Sequence, residues 1–495
     1  MSQIICPYCC KRFSPTRMVF RLKHSLQEKP QEEQQDQWGM GTRMDQKIVD
    51  EKLKKYYMDI ENIDERTAEQ YASVDAEAIE INFADMMADI TDYNTKLYSE
   101  QKFVLELTYK GQRLTERLCP ECHNELIPNA GLYDMKIIAM YGDTYAGKTV
   151  YLNILEAALG GDPHLNSDAC AFQGSMFFQG NDTELEEHDK NYDMLLIDHS
   201  LPGATPGGQI VHPQVFRYCY NTADRQNDDK NLLLVFRDIP GEDTKSAEKM
   251  KKYAFYLKNA DGIIVLLDSS KLTHVVPYLQ AEGSSRGKTK VAQAISNLSD
   301  LLAAQNGGDR IAIPTAVVLA KADVLEAVPM PEVSEVYHNV INVSDADNKH
   351  INYMNRKTIR ELDRAVRGIL KSLNESATIV NPVDHCFSEY SYFALSALGE
   401  NPTDQDGVKV VQKLRPFRVA EPFYWLLSKM DCIPYYHVER WRSNKGVERE
   451  LRMYYYERER KGIAQKRLED QKNAQGIKNS FFGPKWEMVG QNDAI

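Results

Sequence analysis

No stretch of this sequence approaches the ~20 consecutive apolar residues that a bilayer-spanning helix requires, so no membrane span is expected. Positive charge is also in short supply. Sixty Lys and Arg stand against 72 Asp and Glu, a net charge of −12. That balance argues against a general nucleic-acid or anionic-membrane binder, which needs a basic surface. The opening Met-Ser-Gln-Ile-Ile-Cys lacks the basic segment followed by an apolar stretch that marks a signal peptide, and a cytoplasmic location is expected. There is no internal repeat. Nine cysteines are an odd complement for a disulfide scaffold. Four of them fall in two Cys-Pro-x-Cys pairs, a pattern that in a reducing compartment points to metal.

The length leaves room for roughly two to four domains and at least one large core. Residues 1–24 and 115–131 hold the cysteine pairs and read as a split zinc ribbon. Residues 25–114 read as a mostly helical insert: after a polar linker, "DQKIVDEKLKKYYMDI" spaces Ile48, Leu53, Tyr56 and Met58 near a helical period. Residues 132–430 alternate strand-like and helical runs. The strand candidates are 136–141, 194–198, 232–238, 262–268, 315–320 and 392–397, and near-continuous apolar runs of this kind suit a parallel sheet covered on both faces. The fold class expected is α/β. Residues 431–495, dense in Arg, Glu, Lys and Tyr, read as a charged helical tail with a solvated face.

At the end of the first strand candidate, Gly142-Asp-Thr144-Tyr145-Ala146-Gly147-Lys148-Thr149 fits G-x-x-x-x-G-K-[ST]. Glycines allow the tight turn that points successive N–H groups at phosphate oxygens, and the helix that follows adds its N-terminal dipole. Lys148 supplies a charge to the β- and γ-phosphates, Thr149 a hydroxyl to Mg²⁺, and Val150 continues the loop into the helix. A second acidic group must hold Mg²⁺ and report the γ-phosphate. Asp238 is favoured over Asp198 because it opens Asp-x-x-Gly, with Gly241 able to meet the γ-phosphate. "AKAD" puts Lys321 and Asp323 directly after another strand. A carboxylate there accepts both N1–H and the exocyclic amine of guanine, and adenine presents the wrong pattern. Ser396 and Ala397 follow a further strand, where a backbone N–H can meet the guanine O6.

In the cysteine pairs, Cys6-Pro-Tyr-Cys9 and Cys119-Pro-Glu-Cys122, the two-residue gap presents both thiolates to one tetrahedral Zn²⁺. Since the pairs lie more than a hundred residues apart, the segment between them reads as an insertion whose ends the metal fastens beside the phosphate-loop domain. Cys10 and His123 are neighbouring spares. Cys170, Cys219, Cys386 and Cys432 read as buried thiols.

Together "GDTYAGKT", "DIPGED", "AKAD" and "SAL" resemble the translation-factor-related and Ras-like branch of P-loop GTPases, over residues 134–430. With the cysteine pairs, the chain is similar to bacterial proteins that carry a split zinc ribbon ahead of a GTPase domain, grouped with the double-GTPase or conflict-system GTPases. "SLPGAT" and "RVAEPFYWLL" also look like phrases of that group. The resemblance implies a GTP-dependent switch that relays its state to a protein partner, with Thr205 as the threonine that closes on Mg²⁺, ahead of Thr183 or Thr222. The insert and the tail are the places to look for that partner. Three departures stand out. Ala320 occupies the position where the base motif usually carries Asn or Thr. Glu242 replaces the water-orienting glutamine, which implies slow or partner-dependent hydrolysis. The interval from Lys148 to Asp238 is long. A non-hydrolysing nucleotide-bound scaffold and a P-loop ATPase or kinase are the alternatives, the last disfavoured by the lack of an arginine-rich lid.

Overall fold

A computed structural model describes residues 3–14, 17–23, 47–74, 76–82, 93–98, 103–109, 112–143, 146–165, 174–203, 212–221, 230–239, 241, 250, 253–278, 290–305, 309–338, 353–459, 462–477 and 485–491. Two compact units are present: Met1–Lys136 with His212–Val215, and Ile137–Val211 with Phe216–Ile495.

The larger unit is built on a seven-stranded sheet. From edge to edge its strands are Ser175–Gln179, Gln214–Tyr220, Lys230–Asp238, Asp134–Gly142, Gly262–Asp268, Thr315–Ala320 and Tyr390–Ala394. The pairings from Asp134–Gly142 through to Tyr390–Ala394 are parallel. Every residue of Gly262–Asp268 and of Thr315–Ala320 is buried. That explains their unbroken apolar runs: a strand covered on both faces has no solvent side on which to place polar residues. The helix Arg356–Ser372 shows the complementary pattern. Its Ile359, Leu362, Val366, Ile369 and Leu370 are buried at helical spacing, and Asn355 caps its start by accepting from the Lys357 N–H at 3.0 Å. The phrase "RVAEPFYWLL" forms a wholly buried helix start, where the Arg418 guanidinium meets Glu421 at 2.7 Å and donates from Nε to the Val336 carbonyl at 2.6 Å.

Five of the six strand candidates are strands. The exception is 194–198. Met194–Leu196 instead close the helix Asp182–Leu196. Asn181 and Glu184 form a reciprocal capping box at its start, and Leu195 and Leu196 are buried. A four-residue apolar run does not distinguish a strand from the inner face of a helix end. The strands Ser175–Gln179 and Gln214–Tyr220 were not anticipated from the sequence.

The flanking segments also differ from expectation. Among the described residues of 25–114, two short helices, Glu51–Asp59 and Glu65–Tyr71, are outnumbered by strands, including Ala76–Asn82, Tyr93–Tyr98 and Phe103–Tyr109. "LELTY" (105–109) alternates apolar and polar residues, a period of two that favours a strand over a helix. The tail is likewise mostly sheet. Tyr435–Ser443 pairs antiparallel with both Glu448–Tyr455 and Trp486–Gln491, and one helix, Ile463–Ala474, accompanies them. Leu451, Met453 and Tyr455 are buried at every second position. The exposed Arg452 between them therefore marks the wet face of a strand, not of a helix.

In the smaller unit, Ile4–Ile5 pairs with Arg12–Phe13, and Arg17–Lys23 lies between Arg117–Leu118 and Ala76–Asn82. Its core combines Ile4, Phe13, Phe20, Leu53, Tyr56 and Leu126 with four cysteines.

Candidate functional site

Those cysteines are Cys6, Cys9, Cys119 and Cys122. Their sulfur atoms all lie within 4.8 Å of one another and all are buried. Cys6 to Cys122 is 3.6 Å and Cys9 to Cys119 is 3.7 Å. Four thiolates around a tetrahedral ion at a Zn–S distance of 2.3 Å sit roughly 3.8 Å apart, so the spacing fits that ion. Each pair occupies the same turn. The Cys10 N–H donates to the Cys6 carbonyl and the His123 N–H to the Cys119 carbonyl, both at 2.9 Å. Cys10 and His123 each take φ of 54°, the left-handed region. The two spares are thus outside the sulfur cluster and complete the knuckles that aim it. His123 Nδ1 instead meets Asp50 at 2.9 Å. Weak hydrogen bonds reach the sulfurs from the Glu121 N–H at 3.4 Å and Asn124 Nδ2 at 3.3 Å. Burial pushes the Cys6 thiol well up, so a thiolate there calls for the positive charge of a metal.

In the larger unit the phosphate loop sits where the sequence places it, between the strand Asp134–Gly142 and the helix Lys148–Gly160. Gly142 has no room for a side chain: a Cβ would stand 2.5 Å from the Leu266 carbonyl oxygen. Gly147 takes φ of 86° as it caps the helix, a conformation that costs other residues about 1 kcal/mol or more. Lys148 is buried, donates to the Gly142 carbonyl at 3.1 Å and lies 3.7 Å from Asp238 Oδ1. Burial raises the Asp238 carboxyl above the usual range, with Lys148 pulling the other way. Its Oδ1 is buried and accepts no hydrogen bond.

A cavity of 460 Å³ collects these groups. Ala146, Gly147, Lys148, Thr149, Val150, Asp238 and Gly241 line one part, and Ala320, Lys321, Asp323, Ser396 and Ala397 line another. Asp323 accepts from Ser396 Oγ at 2.5 Å, and Ser396 Oγ accepts from the Gly399 N–H at 2.8 Å. This relay fixes the carboxylate. Burial raises the Asp323 carboxyl, while Ser396 and Lys321 lower it. Lys321 is left-handed at φ 55° and begins the short turn Ala322–Ala327. Asp198 is not among the cavity residues. Thr144, Tyr145, Thr205, Thr222, Glu242 and Cys170, and the side chain of Thr183, lie outside the described residues. Cys432 is buried, and Cys219 and Cys386 are half-buried.

Two parts of the site escaped the sequence reading. Leu201–Gly203 and the hairpin Thr403–Gln405/Val408–Val410 contribute to the cavity wall. The hairpin turns at Asp406-Gly407, with φ of 52° and 84°, the pair of left-handed residues that two-residue hairpins prefer. It holds the other wall segment: the Leu201 N–H donates to the Lys409 carbonyl at 2.8 Å and the Val411 N–H to the His199 carbonyl at 2.9 Å. The Asp-Gly signal was visible in the sequence, but nothing local tied it to the cavity. The second missed part is a chain of ion pairs beside the phosphate loop, Asp143 to Lys271 and Asp268 to Lys321.

The family model that matches this sequence is Double-GTPase 2, over residues 136–364, a little under half of the chain. The matched segment is similar to Double-GTPase 2 domains. That match and the phosphate loop support the binding of GTP. No curated protein matches the chain. Solved structures with a likeness include the signal recognition particle receptor SRb-GTP/SRX complex from Chaetomium thermophilum, at 13% identity, 59% of this chain, 96% of that one and a TM-score of 0.25. The Arl6 small GTPase from Trypanosoma brucei shows 12%, 60%, 96% and 0.24. The S. cerevisiae Ski7 GTPase-like domain bound to GTP shows 13%, 65%, 59% and 0.27. Likenesses this slight decide nothing about the chain. No described helix is long and apolar enough to cross a membrane.

Proposed function

We propose that this protein is a GTP-binding and GTP-hydrolysing switch, stabilised by a structural zinc ion, that relays its nucleotide state to a protein partner in the bacterial cytoplasm. The observation that carries the reading is the shared cavity. A phosphate-binding loop, an acidic Asp-x-x-Gly group and a carboxylate braced by a serine all line 460 Å³ of space. In this reading Lys148 and the loop N–H groups bind the β- and γ-phosphates. Thr149 and Asp238 would hold Mg²⁺, which supplies charge neutralisation to the phosphates when bound. The buried Asp238 Oδ1 accepts no hydrogen bond and faces Lys148 at 3.7 Å, which leaves an acceptor for a metal-bound water. Asp323 accepts the guanine N–H groups, with Lys321 alongside and Ala397 near O6. Hydrolysis would be slow: Glu242 stands in the glutamine's place, and a carboxylate near the γ-phosphate repels the charge it must approach. Movement of Thr205 and Glu242 would pass the nucleotide state to the partner. Cys6, Cys9, Cys119 and Cys122 would hold Zn²⁺ as a closed structural site.

Ala320 and Glu242 favour one second reading, a scaffold that binds nucleotide without turnover. Phosphate release separates the two, since the scaffold would not exceed a Lys148→Ala control. The base assignment is tested by titrating GTP, ATP and xanthosine triphosphate with Mg²⁺ against wild type and Asp323→Asn. GTP should bind at least ~30-fold tighter than ATP, and the variant should shift toward the xanthine nucleotide. Equal binding of ATP, or an unshifted variant, would replace the GTPase assignment with a general P-loop NTPase.

A further inference from the structure

The base motif lacks its usual first side chain, because Ala320 carries nothing beyond a methyl group. In the sheet register Asp268 lies directly beside Ala320. Asp268 is 1% exposed, and its Oδ1 is held by the Ser270 N–H at 3.1 Å and the Ser270 hydroxyl at 2.6 Å. Its Oδ2 receives Lys321 Nζ, from the base motif, at 2.7 Å. The same Oδ2 lies 3.8 Å from Lys271 Nζ. Lys271 in turn donates to Asp143 Oδ2 at 2.9 Å. Asp143 is the second residue of the phosphate loop and is itself buried, at 3% exposure.

Four alternating charges therefore run from the phosphate loop to the base motif. Asp143, Lys271 and Asp268 are not among the cavity-lining residues. Two buried carboxylates require cations close by, and each lysine that answers this need connects one motif to the next strand end.

We propose that the Asp143–Lys271–Asp268–Lys321 ladder replaces the missing side chain at position 320, with Lys271 as a positioning residue that sets the phosphate loop and the base motif in register for one nucleotide. The proposal rests on the nucleotide-site reading above. It explains how Ala320 is tolerated: the tie has moved one strand over. It also makes Lys321 depend on Asp268, since the ammonium is anchored behind the base and its stem is what remains to lie along it.

The test compares Lys271→Met, which keeps the stem and deletes the charge, with Lys271→Arg and with Lys271→Met carrying Ala320→Asn. Each is titrated with GTP and ATP in Mg²⁺, and each is melted without nucleotide. Lys271→Met should weaken GTP about tenfold or more, Lys271→Arg should stay within about threefold of wild type, and Ala320→Asn should restore much of the loss. If Lys271→Met fails to fold, Asp143→Asn with Lys271→Met removes both charges of the buried pair and carries the same expectation. Unchanged GTP affinity in the folded variant overturns the ladder, as does a lowered melting temperature with unchanged affinity, which would mark a merely structural ion pair. Failure of Ala320→Asn to restore binding overturns the replacement role. If wild type binds GTP and ATP alike, the guanine reading falls, and the ladder is then judged by the loss common to both nucleotides. A wild type that binds neither overturns both.

Discussion

The cysteine cluster draws its four sulfurs from two turns, each closed within five residues and each ending on a left-handed residue, Cys10 or His123. The nucleotide cavity draws its polar groups from the phosphate loop, the Asp238 strand end, the base motif, the Ser396 loop and the hairpin at 403–410. Four buried thiols crowd together in the first region, and opposite charges alternate in the second. Were these thiols to ionise around a metal, one central cation would balance them, and stability would be concentrated in a single bond set. The second region distributes its balance over Lys148–Asp238 in the cavity wall and over Lys271–Asp143 and Lys321–Asp268 beside it. In the proposed reading the difference has a physical reason: a structural metal site gains from rigidity, and a site that exchanges its ligand gains from separable contacts.

The largest effect should follow from breaking the concentrated side. Cys6→Ser, or prolonged chelation, should release about one zinc per chain and unfold the smaller unit, because structural zinc commonly supplies about 10 kcal/mol or more. Metal analysis with circular dichroism checks this, and a variant that loses zinc but keeps its unfolding transition would show the cluster to be dispensable. A smaller effect is expected where the cavity meets the sheet. Gly142→Ala places a methyl group against the Leu266 carbonyl, and should cost about 1–3 kcal/mol and weaken GTP binding as the loop shifts. Chemical denaturation and nucleotide titration of that variant report both effects. An unaltered protein would mean that the close approach at Gly142 relaxes freely.

The smallest effect concerns a distributed pair away from the cavity. Burial lowers the His188 pKa, but the 2.8 Å hydrogen bond to Glu156 and the charges of Glu156 and Asp189 outweigh it and leave the group raised above 6.5. A raised folded-state value means that this contribution is complete below about pH 6.5 and is lost as pH climbs through the folded value. Melting temperature should therefore decline on that alkaline side. Glu156→Gln should flatten the decline and cost about 1–2 kcal/mol at pH 6. A variant with the same pH profile as wild type would remove His188 as the source.

Legibility followed the range of the physics. The phosphate loop was readable because its work is done by eight consecutive residues whose glycines answer to local backbone geometry, and Gly142 and Gly147 both show that need. The central strands were readable because two covered faces force unbroken apolar runs. The charged strands Tyr435–Ser443 and Glu448–Tyr455 were misjudged as helix because dense charge was weighed above its period of two. Composition does not separate the wet face of a sheet from that of a helix, and spacing does.

By itself the sequence determined the parallel α/β core, the phosphate loop, the candidate acidic and base-facing carboxylates, and the two cysteine turns, all of which depend on residues within a few positions of one another or on the period of a single element. Only the tertiary structure decided that the four thiols meet, that the 403–410 hairpin forms part of the cavity wall, and that Lys271 joins Asp143, 128 positions away, while Lys321 joins Asp268 across 53. Those contacts are set by strand order and register. A side chain carries no mark of which distant strand end will lie beside it until the sheet is assembled.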